Sequence, residues 1–142
     1  MLFILDSNQY IFAFGLAKKP SCQVLLDMLA ENPFSFRVRI PRFIIEEVRK
    51  HLTPEEFKEC ILFILELTAI DEDEIITFGL GSKYEAMGLK AADAFIAAYT
   101  EWVGADILVS ENRHFLSRQA NLPFKVLTAE SCLKLIKSSL RK

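Results

Sequence analysis

Short polar side chains end an apolar run in the second half of the chain. Ile107–Val109 is continuously apolar, which is typical of a central parallel strand, and Ser110, Glu111 and Asn112 follow it at once. Open α/β sheets bind ligands outside the carboxyl ends of their strands. We therefore expect a ligand site at this end of the strand, lined by a hydroxyl, a carboxylate and an amide.

A carboxylate, Asp93, lies in the first turn of the apolar helix predicted just before that strand. Apolar residues from Ala94 to Val103 recur at helical spacing, and Gly104 follows where the helix needs a left-handed residue to end. A negative charge in the first turn interacts well with the helix dipole, which by itself accounts for an aspartate. The polar residues after the next strand indicate in addition that this end of the helix has a function.

A second carboxylate, Asp6, follows the apolar run Leu2–Leu5, which predicts a buried strand. Asp6, Ser7 and Asn8 are all good helix N-caps, so Asp6 alone is most simply interpreted as a cap. Because Ser7 and Asn8 can also cap the helix, Asp6 is free to point off the strand. In a parallel sheet it then points toward the edge that holds Ser110.

A third acid, Glu47, lies in a helix predicted over 41–52. Ile44 and Val48 lie four residues apart on its apolar face, and Glu47 borders that face whereas Glu46 points further away. A lone glutamate in a helix is more often a solvated residue than a ligand. Glu47 therefore matters only as part of a pattern.

Strands and helices alternate along the rest of the chain, which predicts an α/β/α sandwich around a mainly parallel sheet. The other predicted elements are a helix over 20–29, a half-exposed strand over 34–40, a helix over 54–67, a short helix at 114–115, a strand over 124–127 and a final helix after Thr128.

Two further features are assigned no chemistry. The acidic run 71–74 is expected to be a solvated loop, since four adjacent acids cannot all face one metal. Gly79, Gly81 and Gly88 are expected to break the chain into loops around a short helix, and their spacing is not that of a phosphate-binding loop.

Composition limits the class of protein. The chain has 142 residues, half of them apolar, which is enough for one domain over 1–142. Its net charge of −2 means that a polyanion must be held by a local patch or by metal.

The three cysteines lack metal-binding spacing, which predicts a reduced, cytoplasmic protein. No apolar run reaches the roughly 18 residues of a membrane span, so no membrane contact is expected.

Three segments resemble the PIN-domain family, especially its small VapC-type nucleases. They are LDSNQYI, PRFIIEEVRKHL and LKAADAFIAAYTEWVGADILVSENRHF, and their order and spacing match over nearly the whole chain. The most specific part is KAADAFIAA followed, after a helix, by ILVSENRHF. The resemblance implies a PIN-like three-layer α/β/α sandwich and a divalent-metal-dependent ribonuclease.

Family members bind metal and cleave RNA with acids after the first strand, in the third helix region and at the start of a later helix. The matching positions here are Asp6, Glu47 and Asp93. A fourth family position, usually Asp or Asn two residues after a hydroxyl, matches Asn112, with Ser110 as the hydroxyl.

The fourth position is not acidic in this chain. Glu111 is adjacent and could supply a carboxylate through a shifted loop, and Asn8 is a further supporting residue near the same edge. The missing acid and the modest basic content leave an alternative, a non-catalytic PIN-like RNA-binding or scaffold protein.

The physical chemistry of such a site points to a cation. Three carboxylates at one end of a sheet repel one another, and Mg²⁺ or Mn²⁺ would neutralise them. Such an ion lowers the pKa of a bound water and stabilises the charge that develops during phosphodiester hydrolysis. No His or Ser nucleophile is needed.

The expected partners are an RNA substrate, a second copy of the chain and an antitoxin protein. Basic residues near strand ends and helix starts could bind phosphates locally: Arg37, Arg39, Arg42, Arg49, Lys50, Lys90 and Arg113. Phe12, Phe14, Phe57 and Phe63 either fill the core or form a homodimer surface. The family resemblance favours the homodimer, and it implies an antitoxin whose tail occupies the acidic groove of toxin members.

Overall fold

A parallel sheet is the centre of the fold in a computed structural model, which describes residues 1–73 and 76–141. The strands are β1 Leu2–Leu5, β2 Arg37–Pro41, β3 Ile70–Asp71, β4 Ile107–Val109 and β5 Lys125–Leu127. Their order in the sheet is β3-β2-β1-β4-β5, and every neighbouring pair is parallel. The predicted α/β class with a parallel sheet is confirmed.

Helices fill the connections between these strands. They are α1 Ser7–Phe14, α2 Pro20–Glu31, α3 Arg42–Arg49, α4 Pro54–Leu67, α5 Phe78–Ala86, α6 Ala91–Trp102, α7 Arg113–Leu116 and α8 Ala129–Leu140. Helix α1 packs against α2, α3 and α4, whereas α5 packs against α6. Helix α4 starts with a capping box, because the Thr53 hydroxyl accepts from the Glu56 N–H while the Glu56 carboxylate accepts from the Thr53 N–H.

The chain changes direction across the sheet between β1 and β4. Strands β2 and β3 lie on one side of β1, and β4 and β5 lie on the other. Parallel sheets bind ligands at this kind of switch point, outside the carboxyl ends of the strands. The Asp6 N–H donates to the Val109 carbonyl at 2.9 Å, and the Ser110 N–H donates to the Leu127 carbonyl at 2.9 Å. The residues that leave β1 and β4 are therefore fixed side by side.

The strand predicted over 34–40 is displaced along the chain, and the helix predicted over 41–52 is shorter than predicted. Phe34 is fully exposed, since residues 32–36 form a turn in which the Phe36 N–H donates to the Asn32 carbonyl. The strand runs instead from Arg37 to Pro41, so α3 begins at Arg42 and ends at Arg49. Two phenylalanines with one serine between them imitated strand alternation where the backbone turns.

The prediction of a solvated loop holds for Glu72, which is exposed, and is wrong for Asp71 and Asp73. Asp71 lies in β3 and accepts hydrogen bonds from Arg39 Nε at 2.8 Å and from the Tyr99 hydroxyl at 2.6 Å. Desolvation alone would raise the pKa of Asp71, but these two hydrogen bonds outweigh it and lower the pKa. Asp73 accepts a backbone N–H from the first turn of α3. Glu74 lies outside the described residues.

Gly79 and Gly81 lie inside α5 rather than in loops. Glycine costs a helix about 1 kcal/mol relative to alanine, and the packing of α5 against α6, with Tyr84 fully buried, outweighs this propensity. Gly88 and Gly104 follow the ends of α5 and α6 with φ of 96° and 70°. The predicted stop at Gly104 is therefore confirmed.

Cys22, Cys60 and Cys132 are buried free thiols, and burial raises the pKa of each, to about 11 at Cys22 and about 12 at the other two. Within the described ranges, the helices are too short or too polar to span a membrane.

Candidate active site

Asp6 leaves the end of β1 and uses both of its carboxylate oxygens. Its Oδ1 accepts from the Ser7 N–H at 2.8 Å, which makes Asp6 the N-cap of α1, and its Oδ2 accepts from Ser110 Oγ at 2.6 Å. The expectation that Ser7 and Asn8 would take over the cap is wrong, because both lie within the helix. One oxygen caps the helix while the other faces the neighbouring strand.

The surroundings of Asp6 disfavour its charged form. The side chain is only 4% exposed, and desolvation raises its pKa to about 6, although the hydrogen bonds from Ser110 and Ser7 act in the opposite direction. The negative charges of Glu47 and Asp93 raise the pKa further. Both acids therefore lie close enough to Asp6 to disfavour its negative charge.

Glu47 on α3 is joined to this edge by the hydroxyl of Ser7, a residue that the sequence did not indicate as part of the site. Ser7 Oγ donates to Glu47 Oε2 at 3.0 Å and lies 3.5 Å from Asp6 Oδ1. Glu46 instead is exposed and pairs with Arg49 at 3.5 Å. Glu47 is thus the acid of this pair that faces Asp6, and Ser7 lies between the two carboxylates.

Asp93 is joined to the same cluster by Asn112. The Asn112 amide Nδ2 donates to Asp93 Oδ1 at 3.2 Å, and the Asn112 N–H donates to Ser110 Oγ at 3.0 Å. Asn112 Oδ1 accepts from the His114 N–H at 2.9 Å, so the same side chain caps α7. Hydrogen bonds therefore run without a break from Asp6 through Ser110 and Asn112 to Asp93.

Glu111 points away from the three acids, which contradicts the shifted loop considered for it. Its Oε2 accepts from Gln9 Nε2 at 2.9 Å and from the Ala129 N–H at 3.1 Å. Asn8 Oδ1 accepts from the same Gln9 amide at 3.3 Å. Among the described residues, Asn8 forms no hydrogen bond with Asp93 or Asn112. Glu111 therefore supports the loop that carries Asn112, whereas the Asn8 side chain is bonded only to its neighbour Gln9 among the described residues.

Gln9 is a positioning residue that the sequence analysis missed. Its side chain is fully buried, and it connects α1 to the polar loop after β4 through Glu111. Its Oε1 has no hydrogen-bond partner in the part of the chain that the structure describes. Gln9 follows Ser7 and Asn8 at the polar start of α1, and no sequence signal separates it from these two neighbours.

The chemistry of the donor set fits a hard divalent cation. The side chains that meet here, those of Asp6, Glu47, Asp93, Ser110 and Asn112, offer oxygen ligands, which Mg²⁺ and Mn²⁺ prefer. Hydroxyl and amide groups separate the three acids, and in the described ranges no three His, Cys, Asp or Glu side chains close around one point. Metal binding would therefore exchange some of these hydrogen bonds for metal contacts.

The sequence has no match among protein-family models or among curated proteins. The structure, in contrast, is similar to VapBC2 from Rickettsia felis, which was solved bound to a DNA fragment from its promoter. The TM-score is 0.63 with 20% identity, over 90% of this chain and 98% of that chain. FitAcB from Neisseria gonorrhoeae gives a TM-score of 0.60 with 19% identity, over 89% of this chain and 97% of that chain. The chain therefore has the PIN-like α/β/α fold that its sequence resemblance implied.

Proposed function

We propose that this protein is a divalent-metal-dependent endoribonuclease that hydrolyses RNA phosphodiester bonds. Asp6, Glu47 and Asp93 would hold the metal, and Ser110 and Asn112 would keep two of these acids in position. The observation that carries the proposal is the convergence of three acids on one sheet edge, with the buried Asp6 carboxyl shifted to a pKa of about 6. Acids arranged in this way need a counter-charge at neutral pH.

Bound Mg²⁺ or Mn²⁺ would supply positive charge at the scissile phosphate and an activated water. The chain's own residues fix the geometry. Ser110 holds Asp6 against the end of β4, and Ser7 holds Glu47 beside it. Asn112 keeps Asp93 within reach of the same edge. No side chain has to act as a covalent nucleophile.

Similarity to known structures supports a toxin role for this nuclease. VapBC2 and FitAcB are toxin–antitoxin complexes. We therefore include an antitoxin protein among the proposed partners and RNA as the proposed substrate.

The test is cleavage by the purified protein. With Mg²⁺ or Mn²⁺ it should cut single-stranded RNA, and EDTA should stop the reaction, because the acids alone supply no positive charge to the phosphate. Cleavage that persists in EDTA would contradict the proposal.

A non-catalytic RNA-binding or scaffold protein is the competing proposal, and the amide at Asn112 favours it. An acid at this position would add a ligand, whereas Asn112 donates to Asp93. Calorimetric titration with Mn²⁺ near neutral pH separates the two proposals. Absence of binding would favour the scaffold.

We also propose a homodimer, formed through the exposed face of α4. Phe12, Phe14, Phe57 and Phe63 are partly buried and pack against the core, which favours their interpretation as core residues. Leu62 and Leu65 on α4 are 55% and 57% exposed. Sedimentation at micromolar concentration should give the mass of two chains, and a monomer with no shift on dilution would rule out a stable dimer.

A further inference from the structure

Most of the basic residues on the Glu47 side of the sheet edge are already paired with acids. Three of the arginines that the sequence offered as phosphate ligands are in ion pairs, which are Arg39 with Asp71 at 2.8 Å, Arg42 with Glu72 at 2.8 Å and Arg49 with Glu46 at 3.5 Å. Arg42 binds Glu72 through both Nε and Nη2, which fixes the orientation of its guanidinium. The charges of these three arginines are thus neutralised within the protein, which leaves Lys50 as a cation on this side without a carboxylate partner among the described residues.

Basic residues on the Asp93 side are arranged differently. Lys90 is the N-cap residue of α6, three positions before Asp93, and Arg113 directly follows Asn112. Both side chains are exposed. Across the described ranges, neither Lys90 nor Arg113 forms an ion pair with a carboxylate.

Arg118 connects the segments that carry these two residues. Its Nη1 donates to the His114 carbonyl at 3.1 Å, and its Nη2 lies 3.6 Å from where a Cβ would stand on Gly88. The guanidinium therefore lies between α7 and the turn that leads into α6. Arg118 also has no carboxylate partner in the portion of the chain described. We call Lys90, Arg113 and Arg118 together the cationic rim.

We infer that the cationic rim binds backbone phosphates of the RNA strand beside the acidic cluster. This inference rests on the proposed nuclease function. A chain with net charge −2 attracts a polyanion only where cations are concentrated locally, and the rim is adjacent to Asp93 and Asn112. An unpaired cation displaces counterions from the phosphates of a strand when it binds them. A cation that is already paired with an acid displaces fewer of them.

The rim contacts phosphates rather than stacking on bases. The large exposed aromatic side chains among the described residues are Phe34, Phe78 and Trp102. Phe34 precedes β2, Phe78 begins α5, and Trp102 is at the far end of α6 from Asp93. The only exposed ring beside the rim in the described ranges is the His114 imidazole, so the rim holds the strand mainly by charge, and binding through it is tolerant of base sequence.

The salt dependence of RNA binding tests this inference. The parent is Asp93→Asn, which is not expected to cleave, with Mg²⁺ and a fluorescently labelled single-stranded RNA. The triple variant adds Lys90→Gln, Arg113→Gln and Arg118→Gln to this parent, and it should bind the RNA at least about tenfold more weakly at low salt. Each contact with a single-strand phosphate contributes roughly 0.7 to the slope of log K against log salt, so the loss of three contacts should reduce the magnitude of the slope by about 2.

A matched control removes the same charge elsewhere. Lys58, Lys134 and Lys137 are exposed on α4 and α8, and changing all three to Gln should leave the slope unchanged. Because Arg118 packs against its neighbours, the pair Lys90→Gln and Arg113→Gln, both on the surface, serves as a second variant, whose slope should fall by about 1.4.

An unchanged slope in both rim variants overturns the inference, and so does a parent that binds no RNA. Failure of the nuclease proposal gives a different result. If the wild-type protein binds RNA through the rim but does not cut it, the rim inference stands and the nuclease proposal fails. If the wild-type protein cuts RNA while the rim variants bind normally, the nuclease proposal stands and the rim inference fails.

Discussion

Asp93→Asn is expected to reduce metal-dependent RNA cleavage by at least about 100-fold. The change removes one of three anionic ligands and weakens metal binding at the sheet edge. The fold should survive, because an asparagine Oδ1 can still accept the 3.2 Å hydrogen bond from Asn112. Loss of a first-turn charge from α6 costs only about 0.3–1 kcal/mol. Cleavage of a labelled RNA and a thermal melt by circular dichroism measure the two effects.

Asp27→Asn is the matched control for this experiment. Asp27 is exposed on α2, so this variant removes the same charge and should cut RNA at the wild-type rate. If Asp93→Asn also cuts at the wild-type rate, the assignment of the site is wrong. If it melts far below the wild type, Asp93 has a structural role that the hydrogen bonds do not indicate.

Asp6→Asn is expected to stabilise the metal-free protein at neutral pH. Desolvation and the neighbouring acids raise the pKa of Asp6 from 3.8 to about 6 in the folded chain, so the folded state favours the protonated form. The preference of the folded chain for protonated Asp6 contributes stability that is fully present below about pH 4 and is lost as the pH rises through about 6. A shift of about two units corresponds to about 3 kcal/mol, which the ionised Asp6 carboxylate costs the metal-free fold at pH 7.5.

Urea unfolding in EDTA at pH 4 and pH 7.5, followed by the fluorescence of Trp102, measures this effect. The variant should exceed the wild type by about 2–3 kcal/mol at pH 7.5 and should match it more closely at pH 4. Mn²⁺ should stabilise the wild type but not the variant. A variant less stable than the wild type at pH 7.5 would contradict the repulsion inferred at this edge.

Much of the fold follows from local patterns. Leu2–Leu5 is apolar at every position because β1 has a strand on either side, and burial of both faces leaves no polar alternation. The length of α6 follows from helical spacing that ends at a glycine with positive φ. Such signals lie within a few residues of one another, so the sequence contains them in full.

The site is predicted less completely, and mostly through family resemblance. Helical phase favoured Glu47 over Glu46, and the structure turns Glu47 toward Asp6. The direction of Glu111 was not predictable, since its partners Gln9 and Ala129 come from distant parts of the chain. Asp71 was misjudged for the same reason, because a single segment cannot show a pairing with Arg39 and Tyr99.

The outer strands of the sheet affect how copies of this protein can meet. Strand β3 has two residues and β5 has three. An edge strand offers unpaired backbone groups to another chain, and strands this short offer few of them. A neighbour that extended the sheet would form only a small number of new backbone hydrogen bonds. Association of two copies is therefore expected through helix surfaces, and strand-to-strand polymerisation, the route to amyloid-like fibres, is disfavoured by the sheet itself.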